Sequence, residues 1–240
     1  MCKPNKRVLG VSIVTYNTSI EEVREILRIL KDVPEIAQIT IIDNSDQLAL
    51  LRNSIDITRD ETKVDFFKND KNVGYVAHNI GMNKSIKNDL DYHLVINSDL
   101  IFDGKIVSKL LKVMEKNKNI GLIMPKILNY DGTDQHLAKR LPRPHELLLR
   151  LVKLRLPWLH KIEEPSYTKV PKIVPYLSGC FMLLRVNVLR EVGLMDPRFF
   201  MYAEDIDLSR RIAAHSLNIY YPELEIFHKH GAISKRNIRI

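Results

Sequence analysis

The sequence contains few cysteines and no long apolar run. Cys2 and Cys180 are the two cysteines among 240 residues, and one lies at the N-terminus, so we do not expect a disulfide scaffold. No segment approaches the roughly 18 consecutive apolar residues that a membrane-spanning helix requires. Aromatic residues make up 7% and do not alternate with lysine or arginine runs, which disfavours a groove for single-stranded nucleic acid. We expect a cytoplasmic protein that binds no nucleic acid.

Several motifs of nucleotide and metal binding are also missing from the sequence. Without Gly-x-Gly-x-x-Gly, a dinucleotide site would lack its phosphate loop, and no Gly-x-x-x-x-Gly-Lys-Ser/Thr segment provides a P-loop. No Cys-x-x-Cys pair indicates zinc, and no Gly-x-Ser-x-Gly elbow indicates a hydrolase. Any chemistry must therefore come from other side chains.

The composition predicts one folded domain with a basic surface. Hydrophobic residues make up 45%, enough for a packed core. No Pro/Gly/Ser-rich linker divides the chain, so we expect a single domain over 1–240. The net charge of +8 favours anionic partners such as nucleotide phosphates or an acidic membrane face.

Strand and helix patterns alternate through the first half of the chain. This order predicts an α/β fold with a mostly parallel, doubly wound sheet flanked by helices. The predicted strands are Val8–Thr15, Ile39–Ile42, Val64–Phe67, His93–Ile96 and Gly121–Met124. Helical spacing of apolar residues covers Ile20–Lys31, Tyr75–Ile86 and Gly104–Lys116.

The second half is less regular. We predict a strand within Tyr176–Arg185 and helices over Val186–Val192 and Glu204–His215. Two short strands, Ile219–Tyr221 and Leu224–Phe227, would follow.

Polar residues follow three of the predicted strands. Ligands of such sheets bind beyond the carboxyl ends of the strands, so these residues are expected to converge on one site. They are Thr15 with Asn17, Asp43 with Asn44, and Asn97 with Asp99.

Carboxylates and histidines near the predicted site could hold a cation and move a proton. A carboxylate such as Asp99, together with His228 or His230, could bind a divalent ion that also contacts phosphate oxygens. A second carboxylate nearby, from the cluster Glu204, Asp205 and Asp207, could take a proton from an attacking hydroxyl. The structural alternative is that Asp99 caps a helix and that the acids of 204–207 favour a helix dipole.

Seven segments together resemble family 2 glycosyltransferases, in particular their bacterial rhamnosyltransferase-like branch. They are VSIVTYN (11–17), IIDNSD (41–46), NDKNVGYVAHNIGM (69–82), HLVINSDL (93–100), LSGCFMLLR (177–185), GLMDPRFFMYAEDIDLSRRI (193–212) and YYPELEIFHKHG (220–231). They occur in the order found in the family, and the resemblance implies a GT-A fold with a smaller acceptor-side region. It also implies that the single domain has a nucleotide-binding half near 1–125 and an acceptor-binding half near 126–240.

The resemblance implies a donor-nucleotide pocket and a metal site. It assigns nucleotide binding to Thr15, Tyr16, Asn17, Asp43, Asn72, Gly74, Asn79, Asn97, Ser98 and Asp99. Asp43 would accept from the imide N–H of uracil or thymine. Asn97-Ser98-Asp99 stands at the Asp-x-Asp motif of the family, so Asp99 would bind Mn²⁺ or Mg²⁺ with His228, and His230 is the second choice.

The same resemblance makes Asp205 the general base, with support from Glu204, and places Ser178 and Gly179 at the donor sugar and acceptor. It implies an inverting transferase that moves a sugar, with rhamnose favoured, from a dTDP- or UDP-sugar to a glycan or lipid-linked acceptor of bacterial surface polysaccharide. Two other functions stay open: a sugar nucleotidyltransferase, and a non-catalytic basic module that binds a polyanion or membrane.

Glu146–Lys161 has a leucine-rich arc beside Arg150 and Lys153. It is compatible with a core helix near the acceptor, and equally with an interfacial helix on the inner face of an anionic membrane.

Overall fold

A mixed β-sheet organises residues 8–45, 63–135, 137 and 170–229, which are the residues that the computed structural model describes. Within them, the strands are β1 (Leu9–Thr15), β2 (Ile36–Asp43), β3 (Lys63–Lys68), β4 (Tyr92–Ile96), β5 (Leu100–Ile101), β6 (Ile120–Asn129), β7 (Lys172–Ile173), β8 (Phe181–Arg185) and β9 (Leu217–His228). The sheet runs in the order β3-β2-β1-β4-β8-β6-β9-β5, and β7 also pairs with β9.

The helices are α1 (Ile20–Lys31), α2 (Asn79–Lys87), α3 (Lys105–Lys116), α4 (Val186–Val192) and α5 (Glu204–Ala213), and a 3-10 turn over Tyr75–His78 leads into α2. No helix in these described ranges is long and apolar enough to cross a membrane.

Helix α1 illustrates how the sequence sets an element. Ser19 caps it, because the Ser19 side chain accepts from the N–H of Glu22 at 3.2 Å. The apolar face of α1, Val23, Ile26, Leu27 and Leu30, is buried against the sheet, as the helical spacing predicts.

The first four strands form the predicted parallel unit. β1 pairs in parallel with both β2 and β4, and β2 pairs in parallel with β3. The predicted α/β class is thus confirmed. Parallel pairing brings the carboxyl ends of these strands to one edge, where Thr15 lies directly opposite Asp43.

Strand β8 enters the sheet antiparallel between β4 and β6. It begins at Phe181, later than the predicted start at Tyr176, because the preceding residues leave the sheet and bond to helix α5. The N–H of Leu177 bonds to Ser209 Oγ at 3.2 Å, and the N–H of Gly179 bonds to Asp205 Oδ2 at 2.9 Å.

Strand β9 is one strand where the sequence predicts two. Its pairing with β6 jumps from Tyr221 to Glu225 where Pro125 gives way to Lys126. Pro222 lies within this bulge, where a missing N–H is tolerated. A proline that appeared to end a strand therefore marks an irregularity inside it.

Two buried histidines form a hydrogen-bond chain with serines beside the central strands β1 and β4. Ser12 Oγ lies 2.7 Å from His78 Nδ1 and 2.8 Å from His93 Nε2, and Ser85 Oγ lies 2.7 Å from His93 Nδ1. Burial holds the pKa of His78 well below its usual value and lowers the pKa of His93 to about 3. The neutral rings connect β1, β4, the 3-10 turn and α2.

These histidines should make the fold sensitive to mild acid. The unfolded chain binds a proton on each histidine near pH 6.5, whereas the folded protein binds none until a much lower pH. Stability is therefore complete above pH 6.5 and falls as the pH drops toward 3. Between pH 7.5 and pH 5 we expect a loss of about 2 kcal/mol from His93, with His78 adding to it.

Urea unfolding at pH 7.5, 6.0 and 5.0 measures this loss. His93→Gln should flatten the pH dependence, and His215→Gln, at a half-exposed histidine, is the matched control. An unchanged slope in His93→Gln would show that His93 is not the acid-sensitive group.

Candidate active site

The carboxyl ends of β1 and β2 form one side of the candidate site. Asp43 Oδ1 accepts from Ser45 N–H at 3.0 Å, from Ser45 Oγ at 2.6 Å and from Thr15 Oγ1 at 3.3 Å. Asp43 Oδ2 lies 3.8 Å from Lys68 Nζ. Both Asp43 and Thr15 are buried, so the predicted meeting of these strand ends takes place, and Lys68 is an addition that the sequence patterns did not single out.

Tyr16 and Asn17 continue from β1 into the mouth of the site. The Tyr16 side chain is 50% exposed, and Asn17 has a positive φ of 51°. The N–H of Asn17 bonds to Ser45 Oγ at 2.8 Å, which fixes the turn to the Asp43 loop. These two predicted residues therefore lie beside the buried pair Thr15 and Asp43.

Gly74 fixes a close approach between two loops. Its φ is 75°, and a Cβ at Gly74 would lie 1.7 Å from the carbonyl oxygen of Phe200. Asn72 Oδ1 accepts from Gly74 N–H and Asn44 Nδ2 donates to the Gly74 carbonyl, both at 2.9 Å. Only glycine fits this backbone conformation. The loop before helix α5 is thereby held against the loop that contains Asn72 and Gly74.

Asn79 is committed to the backbone of a single residue. Its Nδ2 donates to Met195 O at 2.8 Å and its Oδ1 accepts from Met195 N–H at 3.0 Å. This pair of bonds ties α2 to the segment that leads to α5. The predicted contact of Asn79 with a nucleotide stays a prediction.

Asp99 and His228 meet because β5 pairs with the end of β9. Leu100 lies opposite His228 in the antiparallel register, and Asp99 Oδ1 is 3.0 Å from His228 Nε2. The N–H of Lys229 also donates to Asp99 O at 2.9 Å. The two side chains are 16% and 11% exposed, so the pair is largely shielded yet reachable.

This pair fits a divalent cation as a partial ligand set. A carboxylate oxygen and an imidazole nitrogen are suitable ligands. Across the ranges that the structure covers, no group of three or more His, Cys, Asp or Glu is placed to hold a metal. A cation at Asp99 and His228 would therefore complete its shell with phosphate oxygens and water. His230 lies outside the described residues, as does Glu146–Lys161.

The other two residues of the 97–99 motif face different partners. Asn97 Oδ1 is 3.1 Å from the Tyr75 hydroxyl, and Ser98 Oγ donates to Glu22 of α1. Asn97 therefore belongs to the site through Tyr75, whereas Ser98 anchors the motif to α1.

Asp205 lies in the first turn of α5 and accepts two backbone hydrogen bonds. Its Oδ2 accepts from Gly179 N–H at 2.9 Å and its Oδ1 from Ile206 N–H at 2.8 Å. Burial raises the pKa of Asp205, although the two N–H groups oppose this rise. Gly179 is thus placed beside Asp205 and Ser178 precedes it in the chain, while their predicted role at the donor sugar and acceptor stays a prediction.

Glu204 is more deeply buried than Asp205. The residue is 4% exposed, and its Oε2 has no hydrogen-bond partner among the residues that the structure describes. Burial, followed by the nearby Asp205 charge, raises the pKa of Glu204. Asp207 in the same turn instead pairs with Arg211 at 2.7 Å, which makes it structural.

Tyr75 joins the two halves of the site, and the sequence patterns did not single it out. Its hydroxyl donates to the Gly179 carbonyl and lies beside Asn97. Burial raises the pKa of Tyr75 well above its usual value, and the nearby carboxylates of Asp205, Glu204 and Asp99 add to this rise. Tyr75 therefore stays a neutral phenol at physiological pH. Burial likewise raises the pKa of the Cys180 thiol to about 12, so Cys180 is an inert core residue.

The chain is similar to curated proteins that transfer sugars. The chain is 26% identical over 221 residues to the low-salt glycan biosynthesis hexosyltransferase Agl10 of Haloferax volcanii, covering 91% of this chain and 66% of that protein. It is 29% identical over 143 residues to an N-acetylglucosaminyl-diphospho-decaprenol L-rhamnosyltransferase of Mycobacterium tuberculosis, covering 58% of this chain and 47% of the relative. The chain thus spans between about half and two thirds of these relatives.

Solved structures share the fold at low sequence identity. GalNAc-T7, crystallised with UDP, GalNAc and Mn²⁺, superposes with a TM-score of 0.67 at 19% identity and covers 93% of this chain and 43% of its own. The mannosyltransferase PcManGT of Pyrobaculum calidifontis, in complex with GDP-Man and Mn²⁺, gives 0.61 at 11% identity over 93% and 57% of the two chains. The predicted GT-A fold is confirmed.

Residues 11–193 match the family model described as glycosyl transferase family 2. The matched region includes most of the predicted motifs. It contains Asp99 and Gly179, and Asp205 follows it in the chain. The chain belongs to glycosyl transferase family 2, as its motifs predict.

Proposed function

We propose that the protein is an inverting, metal-dependent glycosyltransferase. The observation that carries this proposal is the joint placement of two groups around Gly179 and Tyr75. One is Asp205, a buried carboxylate held by two N–H groups, and the other is the Asp99–His228 pair. The first suits proton removal and the second suits the diphosphate end of a sugar nucleotide. A non-catalytic polyanion-binding module would need neither, and family membership disfavours a nucleotidyltransferase.

The residues suggest how transfer would proceed. Each oxygen of Asp205 has one lone pair engaged by a backbone N–H, so a second lone pair can accept from an acceptor hydroxyl. As the hydroxyl oxygen of the acceptor attacks the anomeric carbon, the hydroxyl proton passes to Asp205. The bond from the anomeric carbon to the diphosphate oxygen breaks at the same time. The attack comes from the face opposite the leaving group, which inverts the anomeric centre. When bound, Mn²⁺ or Mg²⁺ would neutralise charge on the diphosphate.

Neighbouring residues tune Asp205 for this role. Burial raises its pKa above the usual value, which makes a carboxylate a better proton acceptor, while the N–H groups of Gly179 and Ile206 oppose this rise. Tyr75 holds the Gly179 carbonyl and so orients the N–H that bonds to Asp205. Glu204 lies beside the base in the chain, and burial and the Asp205 charge raise the pKa of its carboxyl.

The relatives suggest a donor and an acceptor. One is named as an L-rhamnosyltransferase acting at a diphospho-decaprenol acceptor, another as a rhamnosyltransferase of Escherichia coli, and a third as a glycan hexosyltransferase. We therefore favour dTDP-rhamnose, with UDP-sugars as the other class, and a glycan or lipid-linked acceptor reached at the cytoplasmic face of the membrane. The buried Asp43 carboxylate suits the imide of thymine or uracil equally. Parallel assays with dTDP- and UDP-sugars on a lipid-diphosphate acceptor, read by product mass, would decide between the donors.

Asp205→Asn should abolish turnover and leave donor binding intact. An amide keeps the size of the side chain but cannot take the proton, so we expect kcat to fall by about 10² to 10⁴ with a nucleotide Kd close to wild type. Asp207→Asn is the matched control, because it lies on the same helix and pairs with Arg211. Wild-type turnover in Asp205→Asn would remove Asp205 from the role of base.

Nucleotide diphosphate binding should depend on a divalent cation and on Asp99. Calorimetric titration with dTDP and UDP is performed with Mn²⁺ and again with EDTA. We expect binding with Mn²⁺ that EDTA reverses, and we expect Asp99→Asn to lose this metal dependence because it removes an anionic ligand. Asp103→Asn, at an exposed aspartate that accepts from Lys105 N–H, is the control. Equal binding with and without Mn²⁺ would contradict the metal role.

A further inference from the structure

A chain of hydrogen bonds connects His228 to a surface turn. His228 Nδ1 lies 3.1 Å from Gln135 Oε1, and Gln135 Nε2 lies 2.9 Å from Asn129 Oδ1. Asn129 Nδ2 is 2.8 Å from Thr133 Oγ1, which is 2.6 Å from Asp131 Oδ1. The chain therefore runs from the carboxylate of an exposed aspartate to the ring that faces Asp99.

The direction of every bond in this chain follows from its outer end. The Thr133 hydrogen bonds hold the pKa of Asp131 below its usual value, so Asp131 is an ionised acceptor. The single hydroxyl proton of Thr133 must then point at Asp131, and Thr133 Oγ1 must accept from its other neighbour. Only the amide nitrogen of Asn129 can donate there.

The hydrogen-bond directions of the inner part of the chain, up to His228, follow in the same way. Because Asn129 uses its nitrogen on Thr133, its oxygen faces Gln135, which must contribute its own nitrogen. The Gln135 oxygen is then left to face His228 Nδ1, and that atom must carry a proton to donate. The proton on Nδ1 leaves Nε2 as the nitrogen that can bind a cation beside Asp99.

The backbone of the turn holds this chain rigid. The N–H of Asn129 bonds to Thr133 O at 2.7 Å, and the N–H of Thr133 bonds to Asp131 Oδ1 at 2.9 Å. The N–H of Gln135 bonds to Ile127 O at 3.0 Å. Since β6 pairs in parallel with β9 and places Asn129 opposite His228, the turn is fixed to the strand that carries the histidine.

We propose that Gln135, oriented by Asn129, Thr133 and Asp131, is a positioning residue that keeps a proton on His228 Nδ1 and so reserves His228 Nε2 for the cation. The proposal rests on the proposed function only for the identity of the cation. The location of the ring proton is a property of the metal-free chain. Outer partners of this kind typically change metal affinity by about 10- to 100-fold when removed.

The first test is nitrogen-15 NMR of His228 in the metal-free full chain. Nδ1 should carry a proton in wild type and in Gln135→Glu, whose carboxylate still accepts from it. In Gln135→Leu, the Nδ1 proton should be lost and the ring should instead carry its proton on Nε2, where Asp99 accepts it. An unchanged Nδ1 proton in Gln135→Leu would overturn the proposal.

Thr133 tests the outer part of the chain. Thr133→Val removes the hydroxyl at constant shape, so both amides lose their imposed orientation and the Nδ1 proton should be partly lost. Thr133→Ser keeps the hydroxyl and should match wild type. Identical spectra for Thr133→Val and Thr133→Ser would show that Gln135 orients His228 without the outer part of the chain, and would overturn the role of Asp131. Urea unfolding of each variant separates these effects from loss of the fold.

Mn²⁺ titration followed by electron paramagnetic resonance supplies a second measurement. Gln135→Leu should weaken Mn²⁺ binding by about 10- to 100-fold, and Gln135→Glu should retain it. If wild type binds no Mn²⁺ but shows the Nδ1 proton pattern, the metal role of the proposed function fails while the positioning of His228 stands. If wild type binds Mn²⁺ and Gln135→Leu binds it equally, the positioning role fails alone.

Discussion

The arrangement of the site depends on two hydrogen-bond acceptors held face to face. Asp99 Oδ1 and His228 Nε2 lie 3.0 Å apart, and the bond of His228 Nδ1 to Gln135 directs the other ring nitrogen toward the carboxylate. Such a pair is stable only with positive charge between or beside the two atoms. The pairing of β5 with the end of β9 thus brings together two acceptors that favour a cation or a proton between them.

The second half of the site is organised by Gly179. Its N–H bonds to Asp205 and its carbonyl accepts from Tyr75, so a single peptide segment connects the base to the 97–99 motif. This segment comes directly before β8, the antiparallel strand inserted beside β4. The insertion explains how residues from the second half of the chain reach an edge that the parallel strands define. A shift of β8 would move the base and the cation site relative to each other.

Much of this architecture could be predicted from the sequence, because it is encoded in local patterns. The apolar spacing of Ile20–Lys31 gives α1, and the acids of 204–207 mark the start of α5. Gln135 and Tyr75 could not be predicted, since each is a single polar residue whose partners come from distant segments. The bulge around Pro222 was also hidden, because a proline ends a strand or bulges it according to its neighbour strand. The periodic spacing of apolar residues thus predicted the fold. The links between the site residues could not be predicted, because they depend on tertiary contacts.

The site also gives up stability for its chemistry. Glu204 buries a carboxylate oxygen with no partner, and Tyr202 and Ala203 before it adopt positive φ angles of 66° and 79°. Unpaired buried polar groups and such backbone conformations are unfavourable for residues other than glycine. Both lie at the start of α5, where the strained turn aims Asp205 toward Gly179 instead of along the helix surface. Because the sheet behind them is densely packed with buried apolar residues, the fold can tolerate this local cost in the turn that carries the proposed base.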